Sequence, residues 1–172
     1  MGVKSFSTYR LTLLALLATI AIIGRNVLTF LPNIQPVTTI VIITTCLLGL
    51  IDAFLLIMVI VIVSNMYLGF GIWAFWQIIA WSAIALCTKG FKIVFKKDSI
   101  ITLGIFSFLS GYMYGFIISL FTYQITGKFW PYYIAGIPFD TYHAIGNVIF
   151  MFILLPLLKQ AIKLYPYSTP NK

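Results

Sequence analysis

The segment 140–147 carries the polar side chains best suited to chemistry in this sequence. Asp140, His143 and Asn147 stand there among mostly apolar neighbours. His143 and Asn147 are four residues apart, so a helix places them on one face. An aspartate that precedes such a helix is a good N-cap, and we expect Asp140 to take that position. The segment predicts either contact with a ligand in a cavity, or an N-cap together with a hydrogen bond between helices.

The sequence predicts neither a metal site nor a catalytic set. It has one histidine and no glutamate, and Cys46 and Cys87 fall inside apolar stretches, where they are typical of buried thiols. No phosphate-binding loop or pair of neighbouring carboxylates is present, and only Asp140 with His143 offers acid–base groups. We therefore predict no catalytic cofactor and no enzymatic activity, and keep a small intramembrane enzyme as the alternative.

The composition places most of the chain in lipid. Of the 172 residues, 62% are hydrophobic and 8% are charged, and the net charge is +8. A soluble domain of this size leaves a large fraction of its surface in water and could not hide so much apolar area. In such a chain, an excess of lysine and arginine is typical of the flanks of membrane spans rather than of nucleic-acid binding.

Apolar stretches of spanning length predict an all-α, polytopic membrane protein with six transmembrane helices in a single domain, 1–172. The predicted spans are 11–31, 37–50, 53–68, 72–88, 100–123 and 141–158, with a basic loop at 89–97 and a longer loop at 124–139. The stretch 37–68 could also be one helix. Its length would then be about 48 Å, against about 30 Å for the bilayer core. We therefore expect it to fold back at Gly49 to Asp52.

The distribution of basic residues supports six spans and predicts that both termini are cytoplasmic. With six spans, one side of the membrane carries all basic residues except two, Arg25 and Lys128. That side holds Lys4, Arg10, Lys89, Lys92, Lys96, Lys97, Lys159, Lys163 and Lys172. Positive residues concentrate in cytoplasmic loops. With five spans, the basic loop at 89–97 would lie opposite Lys4 and Arg10, and the bias would be lost.

This topology collects polar and aromatic side chains on the outer side, where an apolar pocket with a few polar groups could bind a small molecule. The predicted ligand-binding residues are Asn33, Gln35, Asn65, Tyr67, Trp73, Trp76, Gln77, Tyr142, His143 and Asn147. For the tryptophans, the alternative is an aromatic belt at the interface. For Arg25 we expect an ion pair with Asp140, and snorkelling to the headgroups is the alternative.

Small residues in the first span suit close contact with another helix. Ala15 and Thr19 form a small-xxx-small pair, and Ala18 lies between them. These three residues are the candidates for docking a partner protein. Packing inside the bundle is the alternative.

Several motifs resemble the substrate-binding S-components of energy-coupling factor (ECF) transporters, and most closely the branch that includes cobalamin-specific members. The resemblance rests on Gly24-Arg25, on PNIQPVT at 32–38, on SNMYLGFGIWAFWQ at 64–77, and on PFD and HAIGN within 138–147. The order of these motifs also matches. The family's docking motif in the first helix is Ala-xxx-Ala, and here Ala15-xxx-Thr19 is the nearest match.

This resemblance implies a transport subunit in a bacterial plasma membrane. It would bind a vitamin from outside, dock on a transmembrane coupling protein of the EcfT type, and release the vitamin inside. Two partner ATPases of the EcfA type would hydrolyse the ATP. Cobalamin is the vitamin that the resemblance favours, with riboflavin, a queuosine precursor and pantothenate as alternatives.

Overall fold

The computed structural model describes residues 8–95 and 99–164, and within these ranges the chain is helical with no strand. The elements are α1 (Thr8–Val27), a 3-10 turn (Leu28–Phe30), α2 (Val37–Leu47), α3 (Leu50–Leu68), α4 (Ile72–Val94), α5 (Ile100–Thr126) and α6 (Phe129–Leu164). Four residues used in the charge argument, Lys4, Lys96, Lys97 and Lys172, lie outside the described ranges. The all-α prediction is confirmed.

Helix α2 is the centre of the bundle. It contacts α1, α3, α4, α5 and α6, and every residue from Val37 to Cys46 is buried. Four of its residues are threonines and the others are apolar, and a helix without a charged face is typical of a buried position. With 11 residues it is about 16 Å long, too short to cross a bilayer core alone. The other helices form an open ring around it in the order α1, α3, α4, α5, α6.

Contacts between the helices show that successive elements run in opposite directions. Arg10 reaches Asp52 at the start of α3, whereas Arg25 reaches Ser64 near its end, so α1 and α3 are parallel. Helix α2 lies between them in sequence and runs the other way, because Gly24 near the end of α1 adjoins Pro36 just before α2. Arg10, Lys89 and Lys92 therefore share one end of the bundle, here called the basic end.

The predicted fold-back within 37–68 is confirmed. Helix α2 ends at Leu47 and α3 begins at Leu50, and Gly49 between them has φ +115°, a conformation that favours glycine. The reversal thus occurs at Leu48 and Gly49, at the first residue of the predicted segment. Asp52 is already in the first turn of α3, where it is fully buried and paired with Arg10 at 2.6 Å.

The predictions of a loop at 89–97 and of a loop at 124–139 were wrong in part, because the neighbouring helices extend into these segments. Helix α4 continues to Val94, so Lys89 and Lys92 are helical. Helix α6 begins at Phe129, so most of the predicted loop 124–139 is helix, and Asp140 lies inside α6 instead of capping it. Pro138 within α6 misled the prediction. Proline is tolerated inside membrane helices, where neighbours satisfy the freed backbone groups.

Within residues 8–95 and 99–164, five helices have the length and apolarity to cross a membrane: Thr8–Phe30, Leu50–Leu68, Ile72–Val94, Ile100–Thr126 and Phe129–Ala161. Large apolar side chains on their outer faces, such as Leu16, Val59 and Ile105, are exposed. In water such a surface would be costly, whereas lipid solvates it. The chain is therefore a polytopic, membrane-embedded helical protein.

Candidate ligand cavity

A cavity of about 460 Å³ lies at the end of the bundle opposite the basic end. Helices α4, α5 and α6 and the segment before α2 enclose it. Its lining residues are Asn33, Trp73, Gln77, Tyr114, Gly115, Ile118, Ser119, Tyr132, Ala135, Gly136, Phe139 and Asp140. We call this end of the molecule the cavity end. The volume and the mixture of aromatic walls with a few polar groups are typical of a small-molecule site.

Hydrogen bonds from Asn65 fix two of the lining side chains. The buried Asn65 amide nitrogen donates to Gln77 Oε1 at 2.9 Å and to the carbonyl of Val61 at 2.8 Å. Its oxygen accepts the Trp73 indole N–H at 3.3 Å. Asn65 itself does not line the cavity. It was predicted to bind ligand, and it instead orients Trp73 and Gln77 from behind.

His143 lies below the cavity, and both of its ring nitrogens take part in hydrogen bonds. Its Nδ1 is 2.9 Å from the backbone carbonyl of Asn33, which only accepts, so Nδ1 carries the proton. Its Nε2 then accepts from the Thr38 hydroxyl at 2.9 Å, and Thr38 accepts the Trp81 indole N–H at 2.9 Å. Both ring nitrogens are thus occupied and fully buried. The prediction that His143 contacts ligand does not fit this position.

The floor of the cavity is aromatic. Tyr114 lines the cavity, and its ring centroid lies 5.1 Å from that of Trp81 and 5.3 Å from that of His143. Trp81 is fully buried, whereas Trp73 is exposed. Packing of this kind holds the three helices α4, α5 and α6 in register around the cavity.

The predicted ion pair between Arg25 and Asp140 is not formed. The Arg25 guanidinium donates to Ser64 Oγ at 2.6 Å and lies 5.4 Å from the centroid of the Trp81 ring. The arginine is buried, so snorkelling was also wrong. A hydroxyl and an aromatic face satisfy this cation instead of a carboxylate. Asp140 remains in the cavity wall.

Five other predicted ligand residues lie outside the cavity. Gln35 lines a separate recess of about 220 Å³ that Arg25 also lines, and Trp76 packs on Phe121 with centroids 5.8 Å apart. Tyr67 and Tyr142 are exposed on the outer surface. Asn147 is fully buried and donates to the carbonyl of Ser107 at 3.2 Å, which is the bond between helices that was the alternative. Of the ten predicted ligand residues, Asn33, Trp73 and Gln77 line the cavity.

The sequence analysis did not predict that α5 and the start of α6 contribute residues to the cavity lining. Ser107, Gly111, Gly115 and Ser119 are buried at four-residue intervals along α5, and they allow α6 to approach closely. The four-residue spacing of these small residues is the feature of the sequence from which the close approach of α6 could have been predicted. It turns the neighbouring Tyr114 and Ile118 toward α6 as well, and so creates one wall of the cavity.

The three predicted docking residues divide between two faces of α1. Ala15 and Thr19 are exposed, and the Thr19 hydroxyl donates to the Ala15 carbonyl at 2.8 Å. Ala18 is buried in the core and cannot touch a partner without unfolding. Its assignment to a docking face is therefore wrong, and the outward pair retains the small-xxx-small spacing.

Comparison with known proteins gives no match. No family profile, no curated protein and no solved structure matches this chain. The functional conclusion therefore depends on the cavity and on the sequence motifs.

Proposed function

We propose that this chain is the substrate-binding S-component of an ECF-type transporter, which captures a vitamin in the cavity and passes it across a bacterial plasma membrane. The observation that carries the proposal is the cavity itself. It opens at the end of the bundle that lacks the basic residues of α4, and motifs of the resemblance supply Asn33, Trp73, Gln77 and Asp140 to its lining. The chain would depend on an EcfT-type coupling protein and two EcfA-type ATPases for energy.

The proposed orientation places both termini and the basic end in the cytoplasm and the cavity end outside. The chain crosses the membrane six times if the short α2 is counted as a span. Helix α2 is surrounded by the other helices instead of by lipid. Support comes from the charges, since Arg10, Lys89, Lys92 and Lys159 belong to helix ends at the basic end. Positive residues favour the cytoplasmic side.

The cavity volume bears on which vitamin binds. Pockets of about 300–1,000 Å³ enclose most of the surface of a drug-sized molecule, and this cavity of about 460 Å³ is at the lower end of that range. Cobalamin, which the resemblance favours, is much larger and would project from the mouth. Compact vitamins such as riboflavin, a queuosine precursor or pantothenate would be enclosed, and we place them ahead of cobalamin.

Reconstitution tests the proposal directly. Proteoliposomes would contain this chain alone or together with a coupling protein and its two ATPases, and uptake of radiolabelled vitamins would be measured with and without ATP. ATP-dependent uptake only in the full assembly is expected. Substantial uptake by the chain alone would indicate an autonomous carrier and would overturn the dependence on partners.

Replacing Ala15 by tryptophan should block assembly with the coupling protein and leave vitamin binding unchanged. Ala15 lies on the outer face of α1, away from the cavity, so the larger side chain alters only the surface that would dock. Co-purification with the coupling protein measures assembly. Cys87→Trp is the matched control. Cys87 was predicted to be a buried thiol, but it is exposed on α4, which does not touch α1. Equal assembly by both variants would place the docking face elsewhere.

Replacing Gln77 and Asn147 by alanine should separate the cavity from the helix packing. Gln77→Ala removes a polar group from the lining, and we expect vitamin affinity to fall about tenfold, the equivalent of one hydrogen bond. Asn147→Ala should instead lower the free energy of unfolding by about 1 kcal/mol at unchanged affinity. The reason is that the Asn147 amide on α6 donates to the Ser107 carbonyl on α5. Titration of tryptophan fluorescence and thermal unfolding in detergent measure the two quantities. The reverse pattern would contradict the assignment.

An intramembrane enzyme is the weaker candidate. It would need Asp140 and His143 to act together, and His143 uses both ring nitrogens for hydrogen bonds to Asn33 and Thr38. An acid–base partner must reach the reacting group directly or through one water. His143 does not line the cavity and both of its ring nitrogens are hydrogen-bonded, so it does not reach a reacting group there.

A further inference from the structure

Asp140 is a buried residue of the cavity wall, and its carboxylate has no partner in the part of the chain that the structure describes. Only 6% of the residue is exposed, and it lines the cavity. Among residues 8–95 and 99–164, its side chain makes no hydrogen bond and no ion pair. A buried carboxylate is costly unless a cation or hydrogen-bond donor compensates it. The site therefore has an unmet requirement for a donor.

The basic residues of the cavity end do not meet that requirement. Arg25 is bound to Ser64 and packed on Trp81, as described above. Lys128 is exposed and precedes α6. It is 12 positions from Asp140, which corresponds to about 18 Å along a helix. None of the basic residues in the described ranges therefore compensates the carboxylate, which stays open to a cationic group of a ligand in the cavity.

Glycine on the facing helix reserves space for this carboxylate. A Cβ added to Gly115 would collide with Asp140, and one added to Gly136, one turn earlier on α6, would lie 4.0 Å from Asp140 Oδ2. Both glycines line the cavity. The carboxylate therefore packs directly against the α5 backbone at Gly115, and a side chain at that position would displace it.

The remaining walls suit a cation. Trp73, Tyr114, Tyr132 and Phe139 line the same cavity, and aromatic rings attract organic cations through their electron-rich faces. A carboxylate adds charge-assisted hydrogen bonds to any N–H group on that cation. Asn33 and Gln77 supply amides for the polar remainder of the molecule.

We propose that the vitamin bound in this cavity carries an organic cation, a protonated amine or a charged nitrogen heterocycle, which pairs with Asp140. This inference rests on the proposed function and narrows it to cationic vitamins and vitamin precursors. Of the alternatives that the sequence left open, a queuosine precursor with an aminomethyl group fits this chemistry. Riboflavin, which is neutral, and pantothenate, which is an anion, do not.

A matched pair of probes tests the charge requirement on the purified, unmodified protein. The queuosine precursors 7-aminomethyl-7-deazaguanine and 7-cyano-7-deazaguanine share one ring system and differ in an amine against a nitrile. Thiamine is a second cationic probe, and riboflavin and pantothenate complete the set. Quenching of tryptophan fluorescence reports binding, since Trp73 lines the cavity. We expect the aminomethyl compound or thiamine to bind at least about a hundredfold more tightly than every uncharged or anionic probe, the range of a charge-assisted pair.

Variants then assign the effect to Asp140. Asp140→Asn keeps the shape and removes the charge, and it should weaken the cationic probe about a hundredfold. Cys87→Ala changes an exposed, uncharged residue of α4 outside the cavity and should leave the preference for cations intact. If Asp140→Asn does not fold, the comparison of probes on the unmodified protein still decides the matter. Tighter binding of riboflavin or pantothenate, or no binding of any cationic probe, would overturn the inference.

The outcomes also separate this inference from the proposed function. ATP-dependent uptake of a neutral or anionic vitamin by the full assembly would support the S-component and refute the cationic ligand. Binding of a cationic probe through Asp140 without uptake in any assembly would support the cation site and refute the transport role.

Discussion

Replacing Gly111 by leucine is expected to prevent formation of a stable bundle. A Cβ at position 111 would lie 2.7 Å from both the backbone nitrogen and the Cα of Ala144 on α6. The obstacle is backbone, which cannot rotate away as a side chain could, so the two helices must separate. Overpacking in a core costs about 1–3 kcal/mol or more even where side chains can adjust. Because α5 and α6 form the most extensive helix pair, their separation removes a wall of the cavity as well.

Graded substitutions make this prediction quantitative. Gly111→Ala should lower the free energy of unfolding by about 1–3 kcal/mol, and Gly111→Leu should abolish a monodisperse peak in size-exclusion chromatography. Gly90→Ala is the control, because no atom lies within 4 Å of a Cβ there and the residue is helical. Alanine is favoured over glycine in a helix by about 1 kcal/mol, so this variant should be as stable as the unmodified protein or more so. An unchanged unfolding midpoint for Gly111→Ala would contradict the close approach.

Much of the fold was predictable because its determinants are local or are counted along the chain. The fold-back of α2 and α3 required only the length of the apolar stretch and the alternation of basic segments. Gly49 and the two glycines before α4 then provided the turns. The start of α6 was not predictable in this way. Pro131 and Pro138 indicate a loop in water, whereas a bundle that satisfies the backbone groups keeps the segment helical.

The candidate site was predictable only where a residue is polar and adjoins the cavity directly. Asn33, Trp73 and Gln77 met both conditions. Asn65, His143 and Asn147 are equally polar, yet their hydrogen bonds join helices, and sequence spacing cannot distinguish the two uses. Gly115 was missed for the opposite reason. It has no polar side chain, yet the absence of a Cβ at this position leaves the space that the Asp140 carboxylate occupies. Such a role depends on the facing helix, and a single sequence contains no record of that contact.

The position of Asp140 illustrates how an error in one element moves a functional group. As an N-cap of a helix beginning near 141, its carboxylate would have been occupied by backbone N–H groups. Because α6 begins at Phe129, the same residue is in the fourth turn of a helix, where the backbone offers it no free donor. The carboxylate is therefore available to a ligand only because the helix is longer than predicted.

Replacing Arg10 by methionine is expected to destabilise the basic end of the bundle by about 3–5 kcal/mol, the usual cost of leaving one partner of a buried ion pair alone. Asp52 is 0% exposed and Arg10 only 15% exposed, and their 2.6 Å contact joins α1 to the first turn of α3. The second carboxylate oxygen of Asp52 has no hydrogen-bond partner among the described residues, so loss of Arg10 removes the principal compensation of a buried charge. Thermal unfolding in detergent should show a clear drop in midpoint.

The double variant Arg10→Met with Asp52→Leu separates the cost of the unpaired charge from the loss of packing. Replacing both members of a buried pair by apolar residues is often neutral or stabilising, so we expect the double variant to recover most of the stability that Arg10→Met loses. Vitamin binding should be unchanged in it, because the pair lies at the opposite end from the cavity. A double variant as unstable as Arg10→Met would mean that Arg10 acts through contacts other than Asp52, and that the ion pair does not hold α1 against α3.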